Sequence, residues 1–89
     1  MKVEYRQLFL KDLKRLKKQP IYQLIYDLAF NTLPNAASLQ DLPNVKALVG
    51  KPNRYRIRIG DYRVGIEVNG ETLELLRVLH RREFYRYFP

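Results

Sequence analysis

The chain has 89 residues, enough for one small domain with a single core layer, and its 46% hydrophobic content without Gly, Ser or Pro tracts excludes a disordered chain. Seventeen Lys and Arg against nine Asp and Glu give a net charge of +8, which favours polyanionic partners: RNA, DNA, a ribosome or an acidic protein. The absence of cysteine excludes disulfide scaffolds and thiolate metal sites and fits a reducing compartment.

The N-terminal stretch MKVEYRQLFLKDLKRLKK is charged throughout and has no apolar signal-peptide core, and no run approaches membrane-spanning length. A cytoplasmic protein without a membrane partner is expected. Met1 to about Arg6 alternates Val3 and Tyr5 with charged residues, as a short strand does. From about Gln7 to Lys18 the period lengthens: Phe9, Leu13 and Leu16 recur at helical spacing, with Lys11, Lys14, Lys17 and Lys18 outside. Those lysines suit a solvated face, and equally sequence-independent contact with RNA phosphates. Pro20 then opens a second helix with Ile21, Leu24, Ile25 and Leu28 as its buried stripe. The 31–52 segment carries Pro34, Pro43 and Pro52 and reads as mostly loop, with a helical turn near Ala36 to Leu39 and with Leu39, Leu42 and Leu48 tucked onto the core.

Three strands come next, about Arg54 to Ile59, Tyr62 to Val68 and Thr72 to Leu79, the last two joined at the turn signal Asn69-Gly70. Strand alternation puts Arg54, Arg56 and Arg58 on one face and Tyr55, Ile57 and Ile59 on the other. With Gly60-Asp61 as a two-residue hairpin loop, Ile59 pairs with Tyr62, Arg58 lies opposite Arg63, Arg56 opposite Gly65, and Arg54 opposite Glu67. Like charges directly opposed are unfavourable, so Arg58 across from Arg63 points to an anion or carboxylate between them. Gly65, in a strand interior, points to close approach of a ligand or another backbone. The plainer reading, a solvated sheet face with Arg54 and Glu67 as a surface ion pair, stays open.

The last segment, His80 to Pro89, is basic and aromatic and reads as a helical turn or tail. Alternation along the third of these strands puts His80 on the arginine face with Thr72, Glu74, Leu76 and Val78. It also puts Arg77 among core-facing Leu75 and Leu79, a conflict that implies a bulge, an edge position or an error of register. Phe84 and Phe88 read as core anchors for the tail.

No metal-ligand spacing, Gly-rich phosphate loop or Gly-x-Ser-x-Gly elbow is present, so neither metal nor nucleotide cofactor is expected. Metal-free RNA cleavage needs the ribose 2′-OH deprotonated, cations on the phosphorane-like transition state and a proton for the leaving 5′-oxygen. Arginine supplies only the cation, through a planar fork that binds phosphate in bidentate fashion. Arg56, Arg58, Arg63 and Arg82 are therefore candidates for phosphate and transition-state binding. His80 is the one side chain whose unperturbed pKa suits proton exchange near neutrality, and Tyr85 or Tyr87 can stack on a base.

The order of elements resembles the RelE/ParE toxin superfamily of bacterial and archaeal toxin–antitoxin systems. The blocks Tyr55-Arg56-Ile57-Arg58, Gly60-Asp61-Tyr62-Arg63 and His80-Arg81-Arg82 carry the likeness, which spans almost the whole chain. The resemblance implies a single α+β domain over 1–89: a RelE-like two-layer β-α-α-β-β-β fold, its antiparallel sheet packed on a helical hairpin and followed by a short C-terminal helical tail. Its RelE-like branch implies a ribosome-dependent endoribonuclease that cuts messenger RNA in the aminoacyl site, forms a heteromeric complex with a co-expressed antitoxin and uses no cofactor. By position, Arg56 and Arg58 fall on the family's second-strand basic residues, Arg63 on its phosphate-binding arginine, Arg81 or Arg82 on its C-terminal basic residue, and Tyr85 or Tyr87 on its C-terminal tyrosine. The catalytic set expected is Arg56, Arg58, Arg63, His80, Arg82 and Tyr85, with Arg54, Arg81, Arg86 and Tyr87 on the RNA. Some members carry lysines where this chain has Arg56 and Arg58, which leaves His80 as the candidate base. The ParE-like branch implies a DNA gyrase inhibitor instead, and an inactive antitoxin-binding relative is a third reading.

Overall fold

The computed structural model describes residues 1–88. Strands β1 (Lys2–Tyr5), β2 (Val45–Ala47), β3 (Arg54–Ile59), β4 (Tyr62–Asn69) and β5 (Thr72–His80) form one sheet in the order β1-β5-β4-β3-β2. β1 runs parallel to β5, and the other pairings are antiparallel. Helices α1 (Gln7–Arg15) and α2 (Tyr22–Asp27) cover one face, and α4 (Arg81–Tyr87) closes part of the other. The core lies between the sheet and the hairpin: Phe9, Leu13, Ile25, Ala29 and Leu33 from the helical side, Ile57, Val64, Ile66, Leu73, Leu75 and Val78 from the strands. Among the described residues no helix is long and apolar enough to cross a membrane.

The expected β3–β4 register is the observed one: Ile59 with Tyr62, Arg58 with Arg63, Arg56 with Gly65 and Arg54 with Glu67. Gly60 has φ +58 while Asp61 stays at negative φ, the requirement of a type II′ loop with glycine first. The second hairpin repeats the device one residue later than expected. Asn69 pairs with Thr72, so the loop is Gly70-Glu71, with φ +61 at Gly70.

The helical half differs more. α1 ends at Arg15 rather than near Lys18, and the chain turns through residues 16–18. In the second helix Ile25 is buried as expected, but Leu24, about 100° away around the axis, is 57% exposed; Ala29 and Leu33 complete the stripe. That helix also outlasts its expected end. α2 passes through a π-helical turn (Leu28–Thr32) into α3 (Leu33–Asn35), which carries Pro34. A proline ring crowds the carbonyl four residues back, and a widened turn relieves that crowding, so Pro34 does not break the helix. Beyond it, the helical turn expected near Ala36 to Leu39 is a 3-10 turn slightly later, at Leu39–Asp41, and the short edge strand β2 occupies what reads in sequence as loop.

The conflict at Arg77 resolves as a β-bulge. Gly65 pairs with Arg77 but Ile66 pairs with Leu75, so Leu76 is the extra residue. The phase of β5 reverses there: Val78, rather than Leu79, faces the core opposite Val64. The reversal lies where β5 loses β1, whose pairing stops at Leu75. Beyond that point Asp12 of α1 takes over, its Oδ2 accepting from the Val78 N–H at 3.1 Å and from Arg77 Nε at 2.7 Å.

Candidate nucleic-acid interface

β3 and β4 bring Arg56, Arg58 and Arg63 together on the face away from the α1–α2 hairpin. Their mutual repulsion is met by neutral acceptors. Arg63 Nη1 donates to the carbonyls of Gly60 and Tyr62, both at 3.0 Å. Arg58 Nη2 donates to Asn44 Oδ1 at 3.3 Å, and Arg56 Nη1 to the Asn44 carbonyl at 3.2 Å. Burial first, then the Arg56 charge, pulls the Arg63 guanidinium below the usual arginine range; Arg58 and Arg81 push the same way and Tyr85 opposes them. Arg58 is the direct cross-strand partner of Arg63. The Arg56 Nε is buried without a hydrogen-bond acceptor among the described residues. Arg58, Arg63 and Arg81 line an open cleft of about 590 Å³ with Asn44 and Asp61. A larger hollow, about 940 Å³, lies elsewhere, among Tyr55, Val68, Leu73 and Leu39, and none of these arginines lines it.

α4 delivers the C-terminal residues. The Arg81 N–H donates to the Asp61 carbonyl at 2.7 Å and its guanidinium lies 3.7 Å from the Asp61 carboxylate, tying the helix start to the β3–β4 loop. Phe84 and Phe88 are buried, as expected of anchors. The close approach at Gly65 is made by the chain's own Phe88: a Cβ there would lie 2.8 Å from three ring carbons. Arg54 sits over the same ring at 5.0 Å and pairs with Glu67 at 3.1 Å. Tyr85 and Tyr87 are exposed, the latter against Arg86 at 6.0 Å.

The bulge moves His80. Instead of sharing the arginine face it lies opposite Tyr62, on the side of Val64 and Val78, with the two rings edge-on at 5.3 Å. Its Nδ1 accepts the Arg82 backbone N–H at 3.2 Å, so His80 is the N-cap of α4. A neutral ring bonded in this way carries its proton on Nε2.

A sequence model of the ParE toxin of type II toxin–antitoxin systems matches residues 3–85. The chain belongs to the RelE/ParE toxin superfamily. This toxin is 44% identical over 90 residues, the full length of both chains, to toxin RelE3 of Methanocaldococcus jannaschii. It superposes with a TM-score of 0.79 on a chain of the RelB–RelE antitoxin–toxin complex from Methanococcus jannaschii, covering 97% of this chain and 99% of that one at 44% identity. A chain of the RelBE2 toxin–antitoxin complex of Mycobacterium tuberculosis aligns at TM-score 0.67 and 27% identity over 90% of this chain and 96% of that one. E. coli YafQ shares the fold, at TM-score 0.68 and 17% identity over 93% of this chain and 96% of that one.

Of the residues singled out in the toxin's sequence, the fold gathers Arg56, Arg58, Arg63 and Arg81, and Tyr85 lies exposed on α4 with its ring edge-on to Phe84. Arg54 is engaged with Glu67 and Phe88, Arg86 and Tyr87 lie exposed further along α4, and His80 serves the backbone. The Arg82 side chain is exposed and makes no hydrogen bond among the described residues. Sequence reasoning missed Asn44, which holds both Arg56 and Arg58. Its one signal is an asparagine after Pro43 in a loop, a residue type that tolerates the left-handed backbone it adopts, φ +66.

Proposed function

We propose that this toxin is an endoribonuclease that cuts messenger RNA on the ribosome by in-line attack of the ribose 2′-OH, and that a RelB-like antitoxin restrains it in the cytoplasm. The observation that carries this reading is the direct opposition of Arg58 and Arg63 across the β3–β4 hairpin, with Arg56 on the same face and Arg81 lining the same cleft. Among the described residues the one carboxylate lining the cleft, Asp61, pairs with Arg81, so Arg58 and Arg63 face each other without an ion-pair partner, an arrangement costly for a free surface and suited to a phosphate. As the 2′-oxygen attacks and the 5′-oxygen leaves, charge gathers on the non-bridging oxygens. Fixed donors aimed at such charge contribute about 3 kcal/mol each to rate in comparable sites. Arg63 and Arg58, pre-positioned by hairpin carbonyls and Asn44, take that role without a metal ion. Tyr85 and Arg82, exposed on α4, hold the neighbouring nucleotide. His80 holds α4 in place rather than acting as the base, and the proton transfers run through water. The antitoxin is inferred from the similar RelB–RelE and RelBE2 complexes.

A second reading comes from the matching family description, which names ParE: inhibition of DNA gyrase. Primer extension on transcripts from cells expressing the toxin separates the two. Translation-dependent cuts within coding sequence support the RNA reading. Intact transcripts accompanied by gyrase-dependent DNA breaks establish the other.

A further inference from the structure

Asp12 is the one charged residue among the buried described residues, 4% exposed, and the chemistry above does not use it. Its carboxylate makes three hydrogen bonds: from Arg77 Nε at 2.7 Å, from Arg77 Nη2 at 3.0 Å and from the Val78 N–H at 3.1 Å. All three partners lie immediately after the bulge residue Leu76. A buried carboxylate with one cation and three donors is costly to leave unpaired, and a plain strand edge with solvated N–H groups would need none of it. This edge differs from a plain one in the residues it leads to. Two residues beyond Val78, His80 caps α4, and Arg81 bonds the loop of the arginine hairpin.

We infer that Asp12 is a positioning residue: by clamping Arg77 and Val78 it holds the bulged phase of β5 that turns His80 into the α4 cap and sets Arg81, and with it the start of α4, against the arginine cleft. Without the bulge, alternation would return His80 to the arginine face and rotate the start of α4 away from Asp61. Asp12 thus links the helical hairpin, about 65 residues earlier in the chain, to the half of the site carried by the C-terminal helix. This inference rests on the RNA-cleavage reading for its consequence in rate, but not for its consequence in structure.

The test compares wild type, Asp12→Asn and the double variant Asp12→Asn/Arg77→Gln. Asparagine can still accept the Val78 N–H, but it turns its amide N–H₂ toward the Arg77 guanidinium, donor against donor. Amide exchange in Asp12→Asn is expected to rise about tenfold or more at Val78, Arg81 and Phe88, with Ile25 in α2 unchanged. Ribosome-programmed transcript cleavage should fall by a similar factor, and RNA affinity should weaken with it as the contacts of α4 are lost. The double variant leaves no charge buried alone, so it provides a folded sample if the single one is unstable, and both readouts should return toward wild type in it. Unchanged exchange at Val78 and Arg81 in a folded variant overturns the inference, as does a uniform rise that includes Ile25. Wild-type cleavage by a variant whose α4 amides have become exposed overturns it too. If wild type itself cuts no transcript, the RNA reading fails, and the exchange data alone judge Asp12.

Discussion

Arg63 and His80 separate two kinds of functional residue, one that meets the substrate and one that holds those that do. Arg63 lies opposite Arg58, lines a cleft with Arg58 and Arg81, and is anchored by two carbonyls of its own hairpin, so truncating it removes a cation without opening the core. Arg63→Ala is expected to lower transcript cleavage by about 10²–10³-fold and to leave thermal stability unchanged or raised, since like charges are relieved. Single-turnover cleavage and a melting curve on the same preparation check both parts. A variant that melts later and cuts at the wild-type rate would remove Arg63 from the site. His80 poses the opposite case. Because its Nδ1 caps α4, His80→Ala should cost about 1 kcal/mol and slow cleavage by loosening the helix. Asparagine is a favoured cap that lacks the imidazole, so His80→Asn should keep the stability and most of the rate. A stable but inactive His80→Asn would restore the histidine to proton transfer.

At the scale of elements, what could be read from the sequence was local and what could not was distant. The β3–β4 register is dictated by a two-residue loop and strict alternation, both contained between Arg54 and Glu67, so the opposition of Arg58 to Arg63 was legible from the residues alone. The bulge at Leu76 is set by Asp12 on another element, and only the misplaced Arg77 hinted at it. β2 is three residues long and owes its pairing to β3, too short for periodicity to register. The π-helical turn hides behind Pro34, whose usual meaning is a helix end. Gly65 was legible as a place of close approach, but not which group approaches: the visitor is Phe88, far along the chain. Gly65→Ala places a methyl 2.8 Å from that ring, too close to tolerate. Since Phe88 caps a helix of only seven residues whereas Gly65 is paired on both sides within the sheet, the ring rather than the sheet should yield. The expected result is a loss of about 1–3 kcal/mol and faster amide exchange confined to α4. Phe88→Ala should mask the effect: in that background Gly65→Ala should be close to neutral, and the non-additivity of the cycle measures the contact. Additive losses would show that Gly65 is needed for its backbone instead.

For the molecule as a whole, charge is distributed so that the two faces of the sheet do different work. One face is closed by the apolar side of a helical hairpin, and the other gathers Arg56, Arg58 and Arg63 with Arg81 at the start of an α4 that covers only part of it. The net charge of +8 attracts any polyanion at long range, but only charges that meet phosphates directly release counterions and set the steepness of salt dependence. This separates the cleft from the lysines of α1, which are exposed on a helix packed against the other face. If four arginines each neutralise a phosphate of single-stranded RNA, the logarithm of the affinity should fall with the logarithm of salt concentration at a slope of about −2.8. Arg58→Gln should reduce the slope by about 0.7, whereas Lys14→Gln should weaken binding slightly and leave the slope as it was. Fluorescence anisotropy of a labelled single strand across a salt series, with wild type and the two variants side by side, measures these slopes directly. A slope that drops for Lys14→Gln but not for Arg58→Gln would move the phosphate path from the sheet face to α1. The arginine cluster would then need another polyanion to explain why its charges are held together.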